Sequence, residues 1–357
     1  MAFGLAIQAQ SLALAGELDE ARRVLGEALT VERASDNIVA ETEIVVAWEA
    51  GEFLTVARDG PRVAARSGPT HQAGLLTYVA MAAAEVGDLA AAQRHLDTSG
   101  RVLADQRFWI MSDHYEQACG RVAWVAGDHD ASVERLGGAA AEFLGAGALP
   151  YASHVLADLA EAALAAVMPR VAADAARAAE DVARQLGRPQ FAALAALAGA
   201  AAALAVGRYD AGAEAAHEAA QLFTGRGCQI LGARSLAVLG RCLVTQDREA
   251  AVKGLREAVE IFDVCGCRWR RDQALKTLRY LGKPGQRAAA ASTGPGSLTR
   301  REREITALAV QGMSARAIGE LLHIGERTVE SHLARVYLKF GVHSRQQLAD
   351  AVALHAS

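Results

Sequence analysis

Hydrophobic positions along most of the chain recur every three or four residues, which is the period of an α-helix with one packed face. Ala and Leu, both strong helix formers, supply most of these positions. Only seven prolines occur, and long runs of β-branched residues, which favour strands, are absent. The pattern predicts an all-α protein.

A second, longer period lies on top of the helical one. A helical segment ends at a Gly, an acidic or polar turn follows, and a second Ala-containing helical segment begins. Gly suits this point because the end of a helix needs a left-handed residue. The unit recurs about every 35 to 41 residues, with copies centred on Gly16, Gly51, Gly87, Gly127, Met168, Gly207 and Gln246. One such hairpin cannot bury its own apolar stripe, so we expect the hairpins to stack into a superhelical array.

The small residue five positions after the turn lets paired helices approach closely, as at Ala21, Ala92 and Ala251. These features resemble tetratricopeptide repeats, whose second helix begins with Gly, an aromatic residue or Leu, and then Ala. The resemblance is degenerate, because the repeat's proline is missing and the spacing exceeds about 34 residues. Met1 opens inside what reads as the first helix of a hairpin, and we therefore expect an upstream portion to be missing.

Residues 283–297, KPGQRAAAASTGPGS, interrupt the helical pattern. Their small side chains and two Pro-Gly pairs have little to bury, which predicts a flexible linker. We therefore predict a helical array over residues 1–282 and a separate domain over residues 298–357.

Four short helical segments follow Leu298. Thr299 and Glu302 form a capping box at the start of the first segment, and Ser314 caps the second. Two short helices with a tight turn between them, the second amphipathic, are typical of a helix-turn-helix.

The second helix of this pair is predicted over Gly325–Phe340, GERTVESHLARVYLKF. Its apolar residues fall on one face, at Val329, Leu333, Val336, Tyr337 and Phe340. The opposite face is polar and mainly cationic. Such a helix can pack by one side and enter a groove by the other.

The residues from Leu298 to Ala349 resemble the LuxR-type helix-turn-helix closely. Positions in register with the family pattern are Leu298, Thr299, Glu302, Glu304, Gly312, Ser314, Ile318, Leu321, Ile324, Thr328, Val329, His332, Lys339, Val342 and Arg345. The resemblance implies a four-helix domain of the winged-helix-like superfamily, a recognition helix in the major groove, and dimerisation through the last helix, with Leu348 and Val352. Together with the array, the chain resembles the C-terminal part of maltose-regulator-like, large ATP-binding LuxR-family regulators. RNA polymerase is a partner by the same resemblance.

The resemblance also implies roles on the recognition helix. The base-facing positions are Glu330, Ser331 and Ala334. The residues expected at the DNA backbone are Thr328, His332, Arg335 and Lys339, with Arg327 added from the polar face. Many members of the family have Lys at the position of Glu330. In physical terms a Glu can accept a hydrogen bond from cytosine N4, and an Ala can touch a thymine methyl group.

Several of these positions have a structural interpretation as well. His332 lies near the packed edge and fits a partly buried structural role equally well. Lys339 can stabilise the C-terminal end of the helix through its dipole, and Thr328 can cap or pack. Arg300, Arg301 and Arg303, in the first helix of the domain, are either solvated charges or a phosphate clamp.

The net charge of −4 conceals a division along the chain. Residues 1–267 have a balance of −12, residues 268–287 of +6 and residues 297–357 of +2. An acidic body with a basic tail indicates polyanion binding at the tail alone. An ordinary solvated charge run is the alternative.

The remaining chemistry in the sequence argues against other classes of protein. The five cysteines are scattered without a CxxC motif, which indicates free or buried thiols in a reducing cytosol rather than a metal site. No basic residue precedes Arg22, which argues against a secretory signal. The longest uncharged apolar stretch, Phe191–Val206, is shorter than the roughly 20 residues of a membrane span. We therefore expect a cytoplasmic protein without membrane contact, and a buried array helix at Phe191–Val206.

No nucleotide-binding or catalytic motif stands out. No GxxxxGK[ST] sequence occurs, so we expect no cofactor in this chain, and ATP only through a missing upstream module. A nucleophile elbow, an HExxH motif and a paired-carboxylate constellation are also lacking, which argues against an enzyme.

The sequence thus predicts a sequence-specific, DNA-binding transcriptional regulator. We expect an activator that binds double-stranded DNA as a homodimer and is gated by an effector or partner on the helical array. The alternative is a protein-interaction scaffold whose helix-turn-helix domain no longer binds DNA specifically.

Overall fold

The computed structural model describes residues 2–31, 36–106, 109–282, 298, 300–322, 324–340, 342 and 345–354. Helices dominate these ranges, and no strand occurs within them. The chain divides into two compact units, Met1–Leu278 and Arg279–Ser357. The linker predicted over residues 283–297 lies outside the described residues.

In its described residues the first unit, called the array below, consists of seven helical hairpins and most of a final helix, whose last four residues fall in the second unit. The first hairpins are α1 (Ala2–Leu14) with α2 (Leu18–Val31), α3 (Asp36–Glu49) with α4 (Phe53–Arg66), α5 (Pro69–Glu85) with α6 (Leu89–Gln106), and α7 (Trp109–Ala126) with α8 (His129–Gly145). They are followed by α9 (Leu149–Ala165) with α10 (Pro169–Leu186), α11 (Pro189–Ala205) with α12 (Tyr209–Thr224), α13 (Gln229–Cys242) with α14 (Arg248–Val264), and the single helix α15 (Arg268–Gly282). The prediction of stacked helical hairpins is confirmed.

The turns inside the hairpins follow the predicted chemistry. Gly87, for example, has φ 91°, and its N–H donates to the carbonyl of Ala84, while the next N–H donates to the carbonyl of Ala83. Such hydrogen bonds satisfy carbonyls that the end of a helix leaves free. The acidic residue after the Gly then caps the next helix, since the Asp88 carboxylate accepts from the Ala91 N–H at 2.9 Å.

Two turns depart from the Gly pattern. The copy assigned to Met168 has its left-handed residue one position earlier, at Val167, with φ 60°. Met168 is the N-cap residue of α10. At the copy centred on Gln246, Asp247 caps α14 by accepting from the Ala250 N–H at 3.0 Å.

The turns between hairpins are a feature that the sequence reasoning did not use. Left-handed glycines also close these connections, at Gly147, Gly187, Gly227 and Gly266. From Gly127 onward a turn therefore recurs about every 20 residues, and the helices reach 14 to 18 residues. The repeat is longer than a standard tetratricopeptide hairpin for this reason.

Alanine packing holds the helices together. The residues five positions after the turn, Ala21, Ala92 and Ala251, are fully buried. Helix α11 is apolar around its whole circumference and is buried on most sides, as expected for Phe191–Val206. None of the helices in the described part of the chain is both long and apolar enough to cross a membrane.

The superhelix brings hairpins together that lie far apart in sequence. Glu17 pairs with Arg188 at 2.8 Å, and the Cys228 thiol lies 3.8 Å from the Gly16 carbonyl oxygen. The first turns of the array therefore contact its later helices.

At the centre of the array, three carboxylates and three guanidinium groups form a closed ring of alternating charge, called the ionic ring below. In order around the ring its members are Glu85, Arg121, Asp158, Arg234, Glu161 and Arg270, with N–O distances of 2.7 to 3.4 Å. All six side chains are buried. Burial raises the pKa of Glu85 and of Asp158, but the surrounding guanidinium groups outweigh it and hold both below their usual range. The ring fixes α5, α7, α9, α13 and α15 relative to one another.

After the end of α15, the described residues of the second unit form four helices, called the C-terminal domain below. They are α16 (Arg300–Val310), α17 (Ala315–Leu322), α18 (Glu326–Phe340) and α19 (Arg345–Leu354). Ile305, Ala309, Ile318, Val329 and Leu333 form its main core. A second cluster joins Leu298, Val336 and Leu348.

Candidate nucleic-acid interface

Helix α18 is held in place by its apolar face. Val329, Leu333 and Val336 are buried, and Tyr337 is half-buried between the two core clusters. These positions are the ones predicted from the helical spacing, and their burial confirms the packed face. The side chain of Phe340 lies outside the described residues.

The turn between α17 and α18 is tight. The Ser314 hydroxyl caps α17 by accepting from the Ala317 N–H at 3.2 Å. The Ile324 N–H donates to the Gly319 carbonyl at 3.0 Å, which folds the chain back over the end of α17. A side chain at Gly319 would begin only 2.7 Å from the Ile324 carbonyl oxygen. The two helices therefore meet as a helix-turn-helix with little freedom at the turn.

Two described side chains on the outer face of α18 are open to solvent. Glu330 and Ala334 are exposed, and Glu330 has no ion pair or hydrogen bond with the described residues. Of the other predicted contact residues the helical backbone is described, but the side chains are not: Arg327, Thr328, Ser331, Arg335 and Lys339. Their contacts with bases and phosphates stay predictions.

His332 lies between the two faces, half-buried. Its Nδ1 nitrogen is shielded from solvent and has no hydrogen-bond partner among the described residues. The position thus has a packed side, and its contact with the DNA backbone stays a prediction.

Arg301 has a role that sequence reasoning missed. Its guanidinium donates to the carbonyl of Leu322 at 2.7 Å and to the carboxylate of Glu304 at 2.9 Å. It thereby satisfies a free carbonyl at the end of α17 and ties α16 to the helix-turn-helix. A plain solvated charge is therefore wrong for this half-buried side chain, and the phosphate clamp stays a prediction. Arg303 is exposed.

The fourth helix contributes to the core of its own domain. Leu348 is fully buried against Leu298 and Val336, and Val352 is half-buried at the edge of the same cluster. Leu348 is therefore occupied inside the domain. The expected dimer surface on this helix stays a prediction, and other side chains of the helix would have to form it.

The basic run of residues 268–287 is not a uniform cationic surface. Arg270 belongs to the ionic ring and is buried. Arg271 pairs with Asp263 at 2.8 Å and with Asp272 at 3.0 Å. The expectation of a polyanion-binding tail is therefore wrong for Arg270, because its charge is neutralised within the array.

Among the residues that the structure describes, the cysteines and acidic side chains show no metal-binding arrangement. All five cysteines are free, and burial raises the pKa of Cys228 and of Cys242 to about 11, so both thiols stay protonated at neutral pH. Within the described residues no group of three or more His, Cys, Asp or Glu side chains could hold a metal ion.

Comparison with known proteins gives two kinds of similarity. A family described as bacterial regulatory proteins, luxR family, matches residues 296–352. An HTH-type transcriptional regulator of Mycobacterium tuberculosis is 37% identical over 114 residues, which are 30% of this chain but only 13% of that protein. The spore germination protein GerE of Bacillus subtilis is 42% identical over 50 residues, which are 14% of this chain and 68% of GerE.

The second similarity is structural. A Rap protein complexed with competence and sporulation factor superposes with a TM-score of 0.55 at 14% identity, over 98% of this chain and 99% of that one. At this level of identity the similarity concerns the fold alone.

Proposed function

The chain belongs to the luxR family of bacterial regulatory proteins through its C-terminal domain, and we propose that it is a sequence-specific, DNA-binding transcriptional regulator. Helix α18 reads the major groove. The protein acts by binding and not by catalysis, and this chain uses no nucleotide cofactor.

The observation that carries the proposal is that α18 has one packed face and one face with exposed side chains. One face is locked into the core through Val329, Leu333 and Val336, while Glu330 and Ala334 on the other face stay exposed. A helix-turn-helix binds DNA through the exposed face of its second helix. The short chain-reversing turn at Gly319–Ile324 sets the angle at which that face is presented.

Three finer properties belong to the proposal. The regulator is an activator that contacts RNA polymerase, and it binds DNA as a homodimer. Both properties rest on the family resemblance. The array takes an effector or protein partner that gates DNA binding, which the fold of the Rap protein, an array complexed with a factor, supports.

The test is selection of bound sites from a randomised DNA library by the full chain. We expect the wild type to enrich one family of sites. Glu330→Lys places a cation beside the phosphates, so affinity for all DNA should rise about tenfold or less while enrichment weakens. Glu180→Lys, the same charge change at an exposed array position, is the matched control and should behave as wild type.

Two outcomes would count against the proposal. If the wild type enriches no site, the protein is a scaffold without specific DNA binding. If the two charge variants change DNA binding equally, α18 is not the reading element.

A further inference from the structure

The array contains a cavity of about 650 Å³ that the proposed DNA interface does not use. It lies entirely within the first unit, between helices α7, α9, α13, α14 and α15. Its volume falls in the range of small-molecule sites, about 300–1,000 Å³. The cavity therefore suits a small organic ligand better than a folded partner.

One wall of the cavity is aromatic. Trp124 and Trp269 meet edge to face, with ring centroids 5.1 Å apart. The guanidinium of Arg270 lies 5.2 Å from the centroid of each ring. Val238 and Phe262 add apolar surface beside them. Flat or apolar groups can pack against this wall.

Two buried polar atoms on the cavity walls lack a partner. Arg270 is only 7% exposed, yet its Nη2 nitrogen has no hydrogen-bond partner among the described residues. The same is true of the Nδ1 nitrogen of His129. Buried polar atoms are rarely left unpaired, because each costs free energy that a bonded partner would restore. Their placement around one cavity indicates a polar ligand.

The net charge of the cavity walls indicates the sign of the ligand's charge. The ionic ring is neutral as a whole, since three carboxylates balance three guanidinium groups. Arg241 and Lys276 also line the cavity, and neither makes an ion pair with the described residues. The protein around Arg241 removes part of its hydration and lowers its pKa. The cavity thus has two positive charges in excess of its acidic groups.

We propose that this cavity binds a small organic anion, whose carboxylate or phosphate group pairs with Arg241, Lys276 and the free Nη2 of Arg270. The apolar or aromatic body of the ligand packs against Trp124 and Trp269. Charged hydrogen bonds of this kind are the stronger ones, and Arg presents a planar fork that matches both groups.

The position of the cavity along the chain suggests that its ligand gates DNA binding. This gating rests on the proposed function, whereas anion binding in the cavity does not. Trp269, Arg270 and Lys276 all lie on α15, the last array helix before the C-terminal domain in the chain. A ligand that binds them together with Trp124 on α7 and Arg241 on α13 holds α15 against these two helices. Occupancy of the cavity is then the event that gates DNA binding.

Intrinsic fluorescence tests the site directly, because two of the four tryptophans line it. The full chain is titrated with phenylacetate, with phenyl phosphate and with the uncharged phenylacetamide, each to about 10 mM. We expect a saturable change with at least one anion, and binding of the amide at least about tenfold weaker. The anion that binds more tightly identifies the carboxylate or the phosphate as the natural group.

Matched variants locate the binding. Arg241→Gln and Lys276→Gln each remove a cation that makes no ion pair or hydrogen bond with the described residues, so neither should unfold the array, and each should weaken anion binding about tenfold. Arg256→Gln, an exposed and unpaired arginine on α14, should have no effect. No saturable change with either anion, or equal binding to wild type and Arg241→Gln, overturns the proposed site.

DNA binding with and without the better anion separates the site from the proposed function. A changed DNA affinity supports gating through the cavity. If the anion binds but leaves the DNA affinity unchanged, the proposed binding site stands and its role in gating DNA binding is overturned. A protein that binds the anion but no specific DNA keeps the site and overturns the proposed function.

Discussion

The array and the C-terminal domain use charge in opposite ways. The array encloses six charged side chains in the ionic ring, which joins Glu85 to Arg270 across 185 positions of sequence. In the C-terminal domain the core is apolar, and among its described charged side chains only Glu302 is buried. The array thus uses buried charge to hold distant helices in register, whereas most described charged side chains of the C-terminal domain lie at or near its surface.

This difference follows from the way in which the helices of each unit are held in one arrangement. Four helices bury two adjoining apolar clusters, so apolar contacts are enough to define their arrangement. Stacked Ala-rich hairpins have similar faces, and small apolar residues alone distinguish weakly between neighbours. A ring of directional ion pairs accepts one arrangement, because each carboxylate has to meet two guanidinium groups.

The largest expected effect comes from opening the ring. Asp158 accepts from Arg121 and from Arg234 at 2.7 Å each. Asp158→Ala leaves both arginines partly uncompensated in the interior, and we expect the free energy of unfolding of the array to fall by about 3–5 kcal/mol. All four tryptophans belong to the array, so tryptophan fluorescence during denaturation reports this unit alone.

The control for this variant is Asp174→Ala. Asp174 pairs with Arg177 on the surface, where both side chains are more than half exposed, so the loss should be about 0–1 kcal/mol. Equal losses in the two variants would show that the ring contributes no more than a surface ion pair.

The hairpins could be predicted from the sequence and the ring could not. Each hairpin depends on residues within a few positions of a turn, such as Gly87, Asp88 and Ala92. The partners in the ring are at least 36 positions apart, and the curvature of the superhelix decides which of them meet. For the same reason the sequence places Arg270 in a basic run, whereas the fold places it in the ionic ring.

The C-terminal domain shows the same limit on a smaller scale. The packed face of α18 follows from the helical period, so Val329, Leu333 and Val336 could be predicted. The contact between Arg301 and the Leu322 carbonyl spans 21 positions, and no local sequence pattern around either residue predicts it.

The second prediction concerns the apolar core of the C-terminal domain. Ile318 is fully buried there, and Ile318→Ala should cost about 2–5 kcal/mol. A domain of this size has little stability to spare, so we expect loss of DNA binding and faster proteolysis of the domain. The tryptophan signal of the array should stay native-like.

Leu321→Ala on the same helix is the control, because its side chain is 56% exposed. It should leave both DNA binding and proteolysis close to wild type. An Ile318→Ala protein that binds DNA normally would show that the domain does not depend on this core.

The third prediction concerns pH and involves the array alone. Burial lowers the pKa of His154 to about 4, whereas an unfolded histidine titrates near about 6.5. Between these values the unfolded chain binds a proton that the folded array does not. Stability is therefore complete above the unfolded pKa and is lost as the pH falls towards the folded one, by about 1.4 kcal/mol per pH unit.

The variant His154→Gln removes this titration. The difference in unfolding free energy between wild type and variant should shrink between pH 7 and pH 5, by about 1–2 kcal/mol. His217→Gln, at an exposed position, should follow the wild type at every pH. A constant difference between wild type and His154→Gln would mean that His154 titrates as an exposed histidine.

The smallest expected effect tests whether the cationic side chains predicted on α18 contact phosphate. Each phosphate contact contributes about −0.9 to the slope of log affinity against log salt. Arg335→Ala should therefore make that slope shallower by about 0.9, measured with the selected DNA site and the full chain. Arg256→Ala removes the same charge from an exposed position of the array, where the proposal places no phosphate, and should leave the slope unchanged. If both variants shift the slope equally, DNA binding responds to the net charge of the chain alone. Arg335 would then make no specific phosphate contact, and the charges of the C-terminal domain would not form a DNA-binding surface of their own.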